Sequence, residues 1–562
     1  MFLTEVIILR RLNTKLTYII VLAGLLLSVC GGCQSAEIGV VPCPDQVTSL
    51  GNGSFDKLPG ATIAYDGALS SRAVNALERF AGELSSATGM KSALKKGRRG
   101  DIVVGVKTSL APEEYEIRIT KRKVYITSAG DKGVLYALAT LRQMLPVEVY
   151  TGAKAAEDVS WSLPCVQVKD KPRFGYRGLL LDCGRHIFSV EEVKKCLDIM
   201  AVYKLNILHW HLTEDQGWRI QIDKYPQLTE KGAWRNGTQI GKDKETNDGI
   251  RYGGFYTKEQ IRDIVAYADN LGIEIIPEID LPGHMLAALS CFPELGCTGG
   301  PYEVWTHWGV SPDVLCPGKE ATFSFLEDVL SEVADLFPSR YFHIGGDECP
   351  KVRWQECPDC QARIKELGLT PDDKLSAEQK LQTYVTSRVQ AFLASKGKQI
   401  IGWDEILEGD LSEGATVMSW RGAKGGIEAA KRGFDAIMSP YEYLYIDYAQ
   451  AKNVKKEPLA MSGCLPFEKV YSYEPLDGIP ESQQHFVKGV QANLWTEYIG
   501  TDDYLEYMLL PRLAAVSEIQ WCNAGNRNLE CVLENVKTRQ FAIYDAMGYN
   551  YSKVIIGIYG KK

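Results

Sequence analysis

The sequence predicts an α/β chain: a (β/α)8 barrel preceded by a small α/β domain and, at the start, an export segment. Three observations carry this. From Lys171-Pro172 onward, short near-continuous apolar runs alternate with amphipathic stretches, as parallel strands covered by helices require. Before that point the pattern is mixed, with period-two strands and helical stretches together. Polar residues also gather just after the apolar runs, on the face where a parallel barrel places its side chains for chemistry. The composition agrees. The 562 residues are 45% hydrophobic and 24% charged, with 52 Gly and 24 Pro. That balance excludes collagen-like, low-complexity and disordered chains. There are 63 basic and 71 acidic residues, a net charge of −8. With Lys95-Lys96-Gly97-Arg98-Arg99 as the main basic cluster, read as a solvated loop, nucleic acid is not an expected partner.

Taken in order, residues 1–33 read as an export signal. Arg10, Arg11 and Lys15 precede an apolar run from Leu16 to Val29, which ends in Cys30-Gly31-Gly32-Cys33. The run is shorter than the ~20 residues a spanning helix needs. A Cys after small residues resembles a bacterial lipoprotein site, so the chain is expected in the periplasm or at the cell surface, lipid-anchored at Cys33 or Cys30. Residues 34–170 form the accessory domain. Residues 34–60 read as extended, Arg72–Leu84 as an amphipathic helix, and Asp101–Gly105 as a buried strand. Tyr115–Ile119 and Lys123–Thr127 read as alternating strands, and Gly133–Met144 as a helix.

Residues 171–550 are the barrel. Its strands read as Gly178–Asp182, Asn206–Leu212, Glu274–Ile279, Tyr341–Ile344, Gln399–Trp403, Thr416–Trp420, Asp435–Ser439 and Gly489–Trp495. Ser189 with Glu192, and Thr257 with Gln260, read as capping boxes, and Gly272 ends the second of those helices. Helix signals are short in the sixth and seventh units. Leu505–Met547 reads as helical, and 551–562 as a C-terminal tail.

The strand ends carry residues suited to chemistry. The first strand runs into Asp182, Arg185 and His186; the second carries His209, His211, Glu214 and Asp215; the third ends in Glu278, Asp280 and His284. The fourth ends in His343-Ile-Gly-Gly-Asp347-Glu348, the fifth in Trp403-Asp404-Glu405, and the sixth in Trp420-Arg421. Tyr443, Tyr445 and Asp447 come after the seventh, and Trp495-Thr496-Glu497 after the eighth. Five of the seven His lie here. A structural reading takes Asp404 or Glu405 as a cap and His209 as barrel interior, but accounts poorly for all of them together. Carboxylates, an Arg and several Trp suit a sugar: Trp faces pack on pyranose C–H faces and charged groups bond hydroxyls. Adjacent Asp347 and Glu348 offer two carboxyls in different environments, as separate acid and stabiliser roles need.

These segments resemble glycoside hydrolase family 20, the β-N-acetylhexosaminidases. The resemblance rests on Asp182-x-x-Arg185-His186, His211-x-x-x-Asp215-x-Gly217-Trp218-Arg219, Pro282-Gly283-His284, His343-x-Gly-Gly-Asp347-Glu348, Gly402-Trp403-Asp404-Glu405 and Trp495-Thr496-Glu497, which occur in that order across 171–522. It implies an exo-acting retaining enzyme that acts on glycans with terminal β-linked N-acetylhexosamine and needs no cofactor or metal. It implies Glu348 as general acid/base and Asp347 as the group orienting the substrate's acetamido nucleophile, an exception to the two-carboxylate scheme. Arg185 and Glu497 would grip terminal hydroxyls. Trp403, Trp420 and Trp495 would wall the sugar, and Tyr445 and Asp447 would bond the acetamido group. Asp215, His284 and His211 would tune the pair from behind.

Two other readings compete. His209, His211, His284, His343 and Asp347 could ligate zinc in a metal-dependent hydrolase, or the chain could be a glycan-binding protein without catalysis. Of the 15 Cys, Cys349, Cys357 and Cys360 lie close in sequence, as do Cys291, Cys297 and Cys316. Disulfides, buried thiols and a metal site all stay open, the last wanting a fourth ligand that no local residue supplies.

Overall fold

The structure is a computed structural model that describes residues 38–557. The export segment and its two candidate lipidation cysteines lie outside the described residues. Among the described residues, no helix is long and apolar enough to cross a membrane.

The N-terminal domain is a seven-stranded mixed sheet. Its strands are β1 (Gln46–Phe55), β2 (Thr62–Tyr65), β3 (Ala93–Lys96), β4 (Ile102–Val106), β5 (Tyr115–Ile119), β6 (Val124–Ser128) and β7 (Leu163–Asp170). They lie in the order β1-β7-β5-β6-β4-β2-β3, with β3, β2, β4 and β6 parallel and the remaining pairs antiparallel. Helices α1 (Ser71–Thr88) and α2 (Asp131–Met144) pack on each other beside the sheet. Ser70 caps α1 by accepting from the Ala73 N–H, and Gly89 ends it at φ 68°. Four strands, β1, β2, β3 and β7, are not evident from the sequence pattern. β1 falls in the stretch that reads as merely extended; its exposed edge faces carry little apolar alternation. β7 begins at Leu163-Pro164, and proline is tolerated there because it sits at the strand's end.

After β7 come the barrel strands: β8 (Tyr176–Asp182), β9 (Ile207–His211), β10 (Glu274–Glu278), β11 (Tyr341–His343), β12 (Gln399–Trp403), β13 (Thr416–Ser419), β14 (Asp435–Met438) and β15 (Val487–Leu494). They close into one barrel, all pairs parallel. Each matches an expected strand to within two residues at either end. Helices α3 (Val190–Val202), α4 (Lys258–Leu271), α5 (Glu320–Leu336), α6 (Ala377–Ser395) and α7 (Lys424–Lys431) cover it. Thr257 and Gln260 make a complete capping box on α4, and Gly272 ends it in the left-handed region. The box expected at α3 is half-formed: Ser189 accepts from Glu192, but the Glu192 carboxylate turns to Lys195. No long helix follows β14; a four-residue turn of helix, Tyr441–Leu444, stands in its place. The closing stretch is broken as well, into Asp502–Leu509, α8 (Arg512–Trp521) and shorter pieces, because Pro511 cannot continue a helix. Residues 551–557 are not a loose tail: Tyr551 packs on Phe541 and Tyr544, and the Ser552 N–H donates to the Leu510 carbonyl.

The two domains meet through a buried polar network. Lys204, wholly buried, lies 2.9 Å from Asp170 at the end of β7, which also accepts from the Trp521 indole at 2.9 Å. Arg177 on β8 reaches Glu113 at 2.8 Å. Breaking such a buried pair leaves an uncompensated charge, which costs about 3–5 kcal/mol and holds the domains in one arrangement.

Candidate active site

Parallel register does the first positioning. Asp182 pairs with His211, His211 with Glu278, and Glu278 with His343, so four strand ends stand side by side. Glu278 is fully buried and is the hub beneath them. It lies 3.0 Å from His209 Nε2, 2.8 Å from His343 Nδ1, in contact with His211 Nδ1, and 3.2 Å from the Trp403 indole. Burial opposes its charge, but His211, His343 and His209 hold its carboxyl well below the usual range. His209 is therefore barrel interior, in line with the structural reading. Asp404 does not cap the following helix, whose N-cap residue is Ala423; it accepts instead from the backbone N–H groups of Trp420 at 3.1 Å and Arg421 at 3.3 Å in the loop after β13.

Above this floor stands a chain of alternating charge. Arg185 Nη2 bonds Glu214 Oε1 at 2.6 Å, and Nη1 lies 3.5 Å from Asp182. Asp182 is itself fixed by the N–H groups of Gly184 and Thr496 at 2.8 and 3.0 Å. Glu214 also faces His284 Nδ1 at 3.0 Å and His211 Nε2 at 3.2 Å. Burial opposes ionisation of Glu214, yet Arg185 and His284 drive its carboxyl well below normal. Burial likewise opposes charge on His284; Glu214 and Asp280 overcome it and raise the imidazole well above its usual value. The far nitrogen of His284 points to the adjacent carboxylates, 3.9 Å from Asp347 and 3.8 Å from Glu348. Asp215 lies on the other side, 3.7 Å from His284, accepting from the Leu286 and Ser311 N–H groups. Its carboxyl is pushed up to about 6 by burial.

The Gly345-Gly346 turn before Asp347 is demanded by sterics. Gly345 has φ 65°, and a Cβ there would sit 1.6 Å from Asp280 Oδ1. Asp280 instead accepts the Gly346 N–H at 3.2 Å, which aims the chain so that Asp347 and Glu348 project over His284. Glu348 adopts φ 44°, a conformation rare for a side-chain-bearing residue. Burial pushes the Asp347 carboxyl up to about 6. Glu348 is not enclosed: its side chain is 43% exposed in the free protein.

The opposite wall is aromatic. Trp420 stacks on Tyr445 with centroids 6.3 Å apart, Tyr445 meets Trp495 at 6.3 Å, and Arg185 sits 5.0 Å over Trp495. Trp403 differs from expectation. At 1% exposure it is packed under the others, 4.9 Å from His343 and 5.9 Å from Trp495, so it supports the wall from below. Tyr445 and Asp447 are buried, and Glu497 stands close enough to Asp447 and Arg185 to be felt electrostatically by both. Both Asp447 oxygens, Glu497 Oε2, Asp347 Oδ1, His284 Nε2 and Arg185 Nε are buried without a hydrogen-bond partner. Buried polar atoms are ordinarily paired, so this concentration marks a place where something else supplies the partners.

Comparison with known proteins decides the family. The model for the catalytic domain of glycosyl hydrolase family 20 matches residues 174–524, and that for the family's domain 2 matches 37–171. The chain belongs to glycosyl hydrolase family 20. A β-hexosaminidase of Porphyromonas gingivalis is 43% identical over 492 residues; the match spans 86% of this chain but 60% of that protein. A β-hexosaminidase of Vibrio furnissii is 34% identical, over 86% of this chain and 76% of its own length. A family 20 exo-β-N-acetylglucosaminidase of Vibrio harveyi, solved with N-acetylglucosamine, is similar at TM-score 0.80 and 32% identity, covering 92% of this chain and 78% of that one. The family 20 β-N-acetylhexosaminidase of Streptomyces coelicolor is similar at TM-score 0.78 and 32% identity, covering 92% and 97%.

Within this family 20 site the structure brings together Arg185, His211, Asp215, His284, Asp347, Glu348, Trp403, Trp420, Tyr445, Asp447, Trp495 and Glu497. Three further residues have no role assigned from sequence. Glu214 anchors Arg185 and His284. Glu278 anchors the strand-end histidines. Glu405, raised to about 8 by burial and by Asp347, accepts from the Trp420 indole at 3.0 Å. The signal for each is present in the sequence, an acid at a strand end, but its partners lie on other strands.

Proposed function

We propose that this chain is an exo-acting, retaining β-N-acetylhexosaminidase. It removes terminal β-linked N-acetylglucosamine or N-acetylgalactosamine, with the substrate's acetamido group as nucleophile. The observation that carries this is the set of unpaired buried polar atoms facing the Trp420–Tyr445–Trp495 wall. An aromatic face opposite unpaired donors and acceptors complements a pyranose, which has apolar C–H faces and a polar rim. The relatives' activities and the N-acetylglucosamine in the Vibrio harveyi structure support the same substrate class.

In this reading the acetamido carbonyl oxygen attacks the anomeric carbon as the C1–O bond breaks. Glu348, open to the side where the aglycone leaves, gives its proton to the departing oxygen. Asp347 accepts the acetamido N–H and stabilises the positive charge of the oxazolinium ring. Water, deprotonated by Glu348, then opens that ring on the face the aglycone left, and the configuration is retained. Arg185 and Glu497 hold the terminal hydroxyls and close the pocket beyond one sugar.

Leaving-group dependence separates the roles. Glu348→Gln is expected to slow substrates with poor leaving groups by about 10²–10⁴-fold and good ones far less. Asp347→Asn is expected to slow both alike. A slow fluorosugar should leave no glycosylated carboxylate by mass spectrometry; a covalent sugar ester, or an inverted product, would overturn the mechanism.

A further inference from the structure

The Cys residues near the site do not sort as their spacing suggests. Cys349 packs in the same cluster but is not one of the converging sulfurs, its thiol lying 3.9 Å from the Pro350 carbonyl, and Cys291 turns to the Gln227 carbonyl at 3.2 Å. Four others converge: Cys297 and Cys316 from the loop after β10, and Cys357 and Cys360 from the segment after β11. Cys316 Sγ lies 3.6 Å from Cys357 Sγ and 3.5 Å from Cys360 Sγ, and Cys297 Sγ lies 3.8 Å from Cys360 Sγ. All four sulfurs are within 4.8 Å of one another.

We propose that Cys297, Cys316, Cys357 and Cys360 bind one zinc ion as a closed tetrathiolate site. Zinc–thiolate bonds of about 2.3 Å in a tetrahedron set the sulfurs about 3.8 Å apart, and these three distances fall at or just under that edge. Disulfides fit less well. A disulfide needs sulfurs about 2 Å apart, and Cys316 sits equally near two partners, of which it can bond one. Softness of the ligand set selects zinc among the metals common in proteins.

The surrounding backbone is shaped for this. Cys357 caps the helix Pro358–Glu366, so the Cys357-Pro-Asp-Cys360 turn places both sulfurs at one helix start. The Cys316-Pro-Gly318 turn lies against it. A Cβ on Gly318 would come within 2.2 Å of the Asp359 carbonyl carbon and 2.5 Å of the Cys360 nitrogen, so only glycine permits the two turns to approach this closely. Cys316, Cys357 and Cys360 are buried beside Trp354, which seals the cluster from water.

Four protein ligands leave no open coordination position, so the ion holds structure and takes no part in bond-making. What it holds is the catalytic rim. Cys357 and Cys360 come after Asp347-Glu348 on the same segment. The other loop is tied to the site by the Leu315 N–H on the Pro282 carbonyl at 3.0 Å and the Ser311 N–H on Asp215 at 3.3 Å. The Trp354 indole bonds the Leu315 carbonyl at 2.9 Å, joining the two.

Elemental analysis of the purified protein, exchanged into metal-free buffer, tests this. One zinc per chain is expected, released by a mercurial thiol reagent in step with four titratable thiols. Cobalt refolded into the stripped protein should give the d–d absorption of a tetrahedral tetrathiolate. Cys297→Ser, at the most exposed ligand, should lose the ion and lower the Tm. If that variant does not fold, the stoichiometry and cobalt spectrum of the parent still decide. Metal-free parent protein would overturn the proposal, whether non-reducing peptide maps join these cysteines in disulfides or alkylation finds four free thiols.

Discussion

Replacing Glu214 by Gln isolates the charge relay behind the carboxylate pair. Glu214 receives Arg185 at 2.6 Å, His284 at 3.0 Å and His211 at 3.2 Å, and leads the charges that keep His284 protonated against burial. His284 is in turn the main influence restraining the upward push that burial exerts on the Asp347 carboxyl. Glu214→Gln is therefore expected to neutralise His284 and let Asp347 rise above its value of about 6. The charge facing Asp347 is 3.9 Å away. At an effective dielectric of about 20 that is about 4 kcal/mol, or about three pKa units as an upper bound. Solvent and bound sugar screen it, so a shift of about one unit or more is the expected reading. The sign comes from the role. In the proposed role Asp347 works as an anion accepting the acetamido N–H, so activity is expected above its pKa and lost below it. The acid limb of kcat/KM should lie near pH 6 in the parent and move upward in the variant. A further pH-independent loss, about 10-fold or more, should come from the charge-assisted bond taken from Arg185. The assay is kcat/KM on a chromogenic N-acetyl-β-glucosaminide across about pH 5–9, with Asp347→Asn as the control that lacks the limb. A variant slowed equally at every pH, its limb unmoved, would show that Glu214 acts through Arg185 alone and refute the relay.

Two further substitutions probe the frame around that relay. Arg185→Lys keeps the charge but not the fork that spans Asp182 and Glu214 and lies over Trp495. Losing one charge-assisted bond and the stacked guanidinium is worth about 2–4 kcal/mol, so kcat/KM should fall about 30- to 10³-fold with Tm little changed; a variant within threefold of the parent would exclude the fork as the sugar's anchor. Gly345→Ala puts a methyl 1.6 Å from Asp280 Oδ1 at φ 65°. Overpacking of about 1–3 kcal/mol, with about 1 kcal/mol of left-handed strain, should lower the denaturation midpoint and displace Asp347. Unchanged stability and kcat would show the turn to be slack.

The barrel is legible in the sequence because each of its strands is a local object. An apolar run of four to eight residues, ended by a polar one, can be seen without knowing its neighbours, and β8 through β15 lie within two residues of the runs that predict them. The part that is not legible depends on closure. Glu214 and Asp215 are adjacent in sequence, and nothing local says that the first turns to Arg185 and His284 while the second turns to the backbone of Leu286 and Ser311. Glu278 is one acid among several until its two neighbouring strands place three histidines around it. Trp403 reads as a sugar wall because it ends a strand. The structure instead buries it against His343 and Trp495, and only the strand-end geometry distinguishes the two. The cysteines make the same point over longer separations: Cys316 meets Cys357 and Cys360 across 41 and 44 positions, while Cys349, closer to them in sequence, is left out. Local chemistry therefore announces which residue types a site will use, and the topology assigns their partners. The unpaired buried atoms extend this from the protein to its ligand. Each costs about 1–3 kcal/mol to leave unsatisfied. A fold that surrounds Glu278 with three histidines and an indole has no shortage of donors to offer. That it leaves Asp447, Glu497, Asp347, His284 and Arg185 each with an unpaired atom in a site walled by Trp420, Tyr445 and Trp495 is the observation that the proposed sugar ligand answers.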